Sequence, residues 1–351
     1  MTKVKIPRIE SLDWLRGLMA LSIMFYHLTT ITLMPLDSSD VLGRLGVYGV
    51  SIFFVLSGLS MAIVYHNYIK DFRTSLYFFI RRIFRIWPLL WLVCLLVVLP
   101  QIGKSGAYSL HLIFLNITTL FGFVKPTAYI AVGAWSIGNE MVYYALTPLI
   151  IYLYNYKRWI GNGLFIVSLI VGMIFSFYLL NPYLMLSRQW AIYVNPFNNF
   201  FLYIMGIAIY YNFKDIQINQ KVNIAALLVA VALFCWLPFS GNQISILTGL
   251  GRICFVGLSF VIVFCFYKIK ITLPHIINQS LENFGIATYG VYLFHPVMYF
   301  YINMLFPKLY FYNSNLLIGI VSVSTLVIAI ISYKYFELRL IRLGKSLTVR
   351  G

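Results

Sequence analysis

Apolar stretches separated by short polar ones run through the chain, and most have the roughly 16 to 24 residues that a helix needs to cross a bilayer core. Ten stand out, at 12–33, 47–65, 84–99, 135–153, 164–180, 191–211, 224–239, 244–267, 284–306 and 316–332. An eleventh, 108–123, is short and carries His111, Asn116 and two threonines, which fits an interfacial or re-entrant segment better than a span. The pattern predicts an all-α, polytopic transmembrane helical bundle of about ten spans plus one short interfacial or re-entrant helix. It forms a single integral-membrane domain over 1–351, with short tails at 3–10 and 340–351. The first stretch is long enough to span and lacks a small-residue cleavage site, so it is expected to stay as a helix rather than to be removed as a signal peptide.

Composition excludes an ordinary soluble domain: 61% of residues are hydrophobic, 18% aromatic and 10% charged. The charge also sets an orientation. With ten spans and the N-terminus inside, only Arg44, Lys104, Lys125, Arg188, Arg252 and Lys308 of the 26 Lys and Arg fall away from the inner side, which gives both termini a cytoplasmic location in the cytoplasmic (inner) membrane. Basic residues beside anionic lipid account for the net charge of +17, so no nucleic-acid partner is expected. Cys94, Cys235, Cys254 and Cys265 read as small apolar residues, and no His, Cys and carboxylate spacing suggests a metal.

Ionisable groups inside apolar stretches carry the candidate chemistry, because they are expensive there. Arg16 and His27 lie eleven residues apart, about three turns and about 16 Å along one helix face. Asp13 is one turn before Arg16 and can pair with it. Two readings of the pair are open: a functional path across the membrane, or an arginine at a helix end with a histidine bonded to a neighbouring helix. Glu140, one of only nine acidic residues, is expected at the depth of His27, where it can orient the imidazole for acid-base work; its alternative is a bond to Ser136 or Tyr144 on its own face. Arg81, Arg82 and Arg85 form a guanidinium cluster suited either to phosphates or to lipid headgroups and topology. Gly46, Gly49, Ser51, Ser57, Gly58 and Ser60 read mainly as close-packing positions. Tyr289, Tyr292 and His295 place polar atoms on another membrane helix that Pro296 can kink.

Five motifs in order, LDWLRG with His27, GVSIFFVLSG, RRIFRIWPLLW, WSIGNE with Tyr144, and TYGVYLFH, resemble the integral-membrane acyltransferase 3 family, of the polysaccharide and O-antigen O-acetyltransferase type. The resemblance spans residues 12–296 and implies an acyl-CoA donor, acetyl-CoA in the first instance, with His27 and Arg16 essential. Thr288 stands where the family often has serine, Pro296 follows His295 without the usual spacer, and no soluble esterase-like domain is expected. On this reading His27, Glu140, Arg16 and Asp13 are catalytic, and Arg16, Arg81, Arg82 and Arg85 hold the phosphates and adenine. Trp135, Ser136, Tyr144, Tyr292, His295 and Arg188 contact or support the substrates, and the acceptor is a polysaccharide or lipid-linked oligosaccharide. Two rivals predict different features: a transporter or flippase would carry an internal repeat, and a glycan polymerase would carry large outer loops rich in arginine.

Overall fold

In the computed structural model, which describes residues 9–103 and 108–348, the apolar stretches are helical throughout, since a backbone in hydrocarbon must satisfy its own N–H and C=O groups. In order these are α1 (Glu10–Thr32), α2 (Val41–Tyr65), α3 (Phe72–Val98), α4 (Leu110–Ile117), α5 (Phe121–Val124), α6 (Trp135–Tyr156), α7 (Arg158–Ile174) and α8 (Trp190–Tyr193). They continue with α9 (Pro196–Phe213), α10 (Gln220–Trp236), α11 (Gly249–Lys268), α12 (His275–Leu305), α13 (Pro307–Tyr312), α14 (Ser314–Ser332) and α15 (Leu338–Leu347). Among the described residues there is no strand. Lys3, Lys5, Arg8, Lys104 and Arg350, which entered the charge balance, and residues 3–8 and 349–351 of the expected tails lie outside the described residues.

Each of the ten expected segments contains a helix, but length and composition support fewer crossings than ten. Five helical stretches qualify, Val41–Tyr65, Phe72–Gln101, Arg158–Leu179, Gly249–Lys268 and Ser314–Leu347, and the pair Leu186–Tyr193 and Pro196–Phe213, bent by 63°, raises the number to six. The shortfall has a physical cause. Helix α10 has 17 residues, and α1, α6 and α12 carry Arg16 and His27, Glu140, and His295, whose polarity dilutes their apolar character.

Helix α2 is the hub, with 78% of its apolar window buried against 28% for α3 and for the α7 stretch, whose remaining apolar side chains face outward. The small residues of α2 divide between two tasks. Gly46 lies under the Tyr26 ring, Gly49 under Ile23, and Gly58 against the Tyr203 carbonyl of α9, where Gly206 answers by packing on the Val55 carbonyl. Ser57 and Ser60 instead turn toward polar partners. On the other side α1 and α12 run parallel, crossing at Gly17 and Gly285.

Two local departures from the sequence reading matter for the site. The 108–123 segment is two short helices broken where Thr119 takes φ 57°. Its Asn116 side chain accepts from Ile130 N (2.9 Å) and donates to Ala128 O (2.8 Å), which staples the following loop inward. Ile130, Ala131 and Ala134 are consequently buried, and α6 starts inside the bundle rather than at its rim. The expected C-terminal tail is instead α15, docked on α3 with Gly344 against Phe84 and Thr348 Oγ1 accepting from Arg81 Nε at 2.8 Å. Helix α12 runs unbroken through Pro296.

The α2 and α9 contact generates a stability prediction. Gly206→Leu would drive a side chain into the Val55 carbonyl, a backbone atom that cannot move alone. Overpacking of this kind costs about 1–3 kcal/mol or more, so the variant should lose its monodisperse peak in detergent size-exclusion chromatography and melt well below the parent protein.

Candidate active site

Helices α1, α2, α3, α6 and α12 enclose a cavity of about 500 Å³. Its floor is made by the first turns of α1 and the inner part of α3, where Asp13, Arg16, Arg82 and Arg85 meet. Ser57 and Ser60 of α2 and Glu140 and Tyr144 of α6 form one wall. Thr288, Tyr289 and Tyr292 of α12 form the other, closed by Tyr333 from a π-helical turn, Tyr333–Glu337, that follows α14.

Three guanidinium groups in one cavity are tolerable only where each finds water, a carboxylate or other acceptors. Arg16 donates to Asp13 Oδ1 at 2.7 Å and to Ser60 Oγ. Arg82 donates to Tyr65 Oη at 3.0 Å and stacks over the Tyr65 and Tyr144 rings, while its Nε has no partner. Arg85 is exposed to the cavity and makes no hydrogen bond to any described residue. The Glu140 carboxyl faces Ser57 and Tyr144 with Arg82 and Arg85 in electrostatic reach, and Ser57 Oγ and Tyr144 Oη lie 2.9 Å apart. The result is a pair of anchored arginines beside a free one, an arrangement fitted to an anionic group of the phosphate type.

The far end of the cavity stops at Tyr292, whose hydroxyl donates to Gly133 O (2.9 Å) and lies 3.0 Å from Ser136 Oγ. Behind Tyr292, with ring centroids 6.2 Å apart, is His295. Its Nε2 is 2.8 Å from Nδ1 of His27, and its Nδ1 is 3.0 Å from the Val291 carbonyl. These contacts fix the tautomers by elimination. A carbonyl oxygen only accepts, so His295 Nδ1 carries a hydrogen; neutral His295 then has a bare Nε2, so His27 Nδ1 carries the hydrogen between the rings. What remains is Nε2 of His27, a lone pair on a half-buried ring. The sequence left His27 with a neighbouring helix or with Glu140 as alternatives, and the neighbouring helix supplies the partner.

Of the expected site residues, the structure brings Asp13, Arg16, Arg82, Arg85, Ser136, Glu140, Tyr144 and Tyr292 into the cavity. His27 and His295 form their own pair beyond Tyr292. Glu140 does not make the expected contact with His27, because α6 begins inside the bundle and its carboxyl lands among the arginines. Arg81 does not join the cluster in the cavity: it bonds Thr348 and covers the Tyr68 ring at 4.4 Å. Trp135 is buried behind the wall against Phe54, Trp190 and Tyr193, and Arg188 is exposed in the loop before α8. Sequence reasoning gave Ser57 and Ser60 to packing and missed Tyr333. The signal for the serines was their spacing of three on the polar side of an otherwise apolar helix; nothing in the sequence marked Tyr333.

Comparison with known proteins places the chain in a family. A family described as acyltransferase domain, acyltransferase 3, matches residues 9–334, which contain every residue of the cavity and the histidine pair. A protein of Acidianus two-tailed virus named "Putative acetyltransferase ORF330" is 26% identical over 299 residues, covering 83% of each chain. No solved structure matches. With the matched region running through nearly the whole bundle, the chain belongs to the acyltransferase 3 family of membrane proteins.

Proposed function

We propose that the protein is a membrane O-acyltransferase that takes an acetyl group, or another acyl group, from cytosolic acyl-CoA and passes it to a hydroxyl of an extracytoplasmic polysaccharide or lipid-linked oligosaccharide. One observation carries the reading: an arginine-lined cavity and a histidine with one defined bare nitrogen share helix α1, about three turns apart. That separation matches the reach of a pantetheine arm.

In this reading the donor's phosphates lie against Arg85, with Arg82 and Arg16 behind it, and Asp13 and Glu140 balance the cluster while no donor is bound. The protein sits in the cytoplasmic membrane with both termini inside, a placement supported by the excess of Lys and Arg on that side of the sequence. The thioester passes Tyr292, whose bonds to Gly133 and Ser136 would have to open. At His27 the acceptor oxygen attacks the thioester carbonyl as its proton moves to Nε2. The C–S bond then breaks, and the coenzyme A thiolate leaves with the proton returned from Nε2. His295 holds the His27 ring and accepts its Nδ1 hydrogen bond while the imidazolium exists, a positioning role.

Two measurements test the proposal. His27→Ala should remove acyl transfer to surface glycans by about 10²- to 10⁴-fold, the usual worth of a general base, while membrane insertion persists. Transfer at the parent rate would end the assignment of the base. His295→Leu should lower turnover without raising KM for the donor, and ¹⁵N spectra of histidine-labelled protein should change from a single His27 tautomer bare at Nε2 to a mixture. An unchanged spectrum would refute the positioning role.

The donor site is tested apart from the chemistry. Arg85→Ala should weaken acetyl-CoA binding about tenfold or more, as loss of a charge-assisted contact does, with turnover at saturating donor little altered. Equal affinity of parent and variant in direct calorimetric titration would remove Arg85 from the donor site.

A further inference from the structure

Two arginines outside the cavity are fully enclosed by the bundle, and they are treated in opposite ways. Arg44 on α2 donates from all three nitrogens to five carbonyls, those of Ser38, Phe234, Cys235, Leu237 and Phe239, at 2.7–3.1 Å. Most of these belong to the last turn of α10 and the residues after it, so the cation also meets the negative end of a helix dipole.

Arg252, at 0% exposure, is provided for less fully: its guanidinium lies over the Phe201 ring at 5.4 Å and beside the Tyr48 hydroxyl. Its Nη2 donates to Asn199 Oδ1 (2.9 Å) and more loosely to Asn198 O (3.3 Å), while Nε and Nη1 have no well-aligned hydrogen-bond partner. It stands in the first turn of α11, whose N-terminus has no side-chain cap, so the local dipole is positive and adds to the guanidinium charge. None of the nine acidic residues supplies a recorded partner for its two bare nitrogens. Around it are the hydroxyls of Tyr48, Tyr143 and Tyr193. Asn139, whose amide lies against the Tyr143 hydroxyl, is also at 0% exposure with neither amide atom in a well-aligned hydrogen bond, and Asn198 Oδ1 has no such bond either.

A buried guanidinium keeps its charge, and an aromatic face with neutral hydroxyl and amide groups offsets only part of the cost of burying it. Five polar atoms without a well-aligned partner on neighbouring side chains are more than native interiors usually leave without a bound group. We propose that Arg252, with the Asn139 amide, encloses a structural site for a small monovalent inorganic anion of the halide class. The anion accepts from Nε and Nη1 of Arg252 and from Nδ2 of Asn139, and it neutralises both the guanidinium and the open N-terminus of α11. The two amide oxygens are served by a water sharing the site. The site ties α6, α9 and α11 together behind Trp135, and it does not depend on the acyl-transfer reading.

The test uses the full chain in detergent. At fixed ionic strength, replacing sodium chloride by sodium gluconate should lower the melting midpoint by about 3–5 °C, the scale of a ligand lost from the native state, and sodium bromide should restore it. Arg252→Met, which keeps the bulk and removes the charge, should melt at one temperature in all three salts. Equal midpoints for the parent protein in chloride and gluconate would overturn the proposal, and so would an Arg252→Met variant that keeps the parent's response. If that variant does not fold, bromide-exchanged parent protein decides. An anomalous bromine peak within hydrogen-bonding distance of Arg252 Nη1 supports the site, and ordered water alone at that position refutes it.

Discussion

The crossing of α1 and α12 at Gly17 and Gly285 is the contact on which the rest of the site depends. A methyl group on Gly285 would strike the Asp13 carbonyl, and one on Gly17 would press on the Gly285 backbone, so both helices meet without side chains between them. Because the two helices are parallel, the register set there propagates. His27 lies ten residues beyond Gly17 and His295 ten residues beyond Gly285, and the two rings meet at 2.8 Å. The same crossing seats Asp13 beside Arg16 at the opposite end of α1. One backbone contact thus fixes both the ion pair in the cavity and the imidazole pair beyond it.

The bundle handles its enclosed cations by several means, and the choice follows what surrounds each. Arg44 exhausts its donors on backbone carbonyls and becomes part of the frame. Arg16 is held by a carboxylate and a serine, which fixes its direction but leaves it at the cavity. Arg85 has Glu140 and Glu337 in electrostatic reach but no hydrogen bond to a described residue, and it faces the open volume in front of it. Satisfied cations stabilise without acting on anything else, whereas an unsatisfied one has binding energy to give to a ligand. That difference, rather than the count of arginines, separates the framework from the site.

Much of this was legible in the chain. Apolar stretches of bilayer length gave the helices, and the eleven-residue spacing of Arg16 and His27 gave a single helix face with polar groups at two depths. The arginine run pointed to a cluster of guanidinium groups, and Arg82 and Arg85 do line the cavity, while Arg81 is diverted to Thr348 by a terminal helix that reads as a tail. Depth along a helix was less legible. A hydropathy window places the start of α6 at the membrane surface, but the start is set by Asn116 drawing residues 128–130 inward, a side chain acting across a loop. Glu140 therefore lands among Ser57, Tyr144 and the arginines, and the histidine it was expected to serve takes another partner. Ser57 shows the same limit in reverse: its small size fits packing equally well, and only the position of Tyr144 on another helix gives its hydroxyl a purpose.

A histidine partner in place of a carboxylate suits the depth at which His27 sits. A buried imidazole pair is neutral at rest, so it incurs none of the desolvation that an ionised carboxylate would suffer among apolar side chains. In the proposed reaction the imidazolium is then held by a neutral ring and the Val291 carbonyl dipole in place of an anion. The carboxylates of the site are then free for the opposite task, since Asp13 and Glu140 both stand among arginines where their charge offsets a cost already present. A chain with nine acidic residues against 26 basic ones has placed two of the acids where cations gather, and in the proposed reaction it leaves proton transfer to the histidine pair, away from both acids.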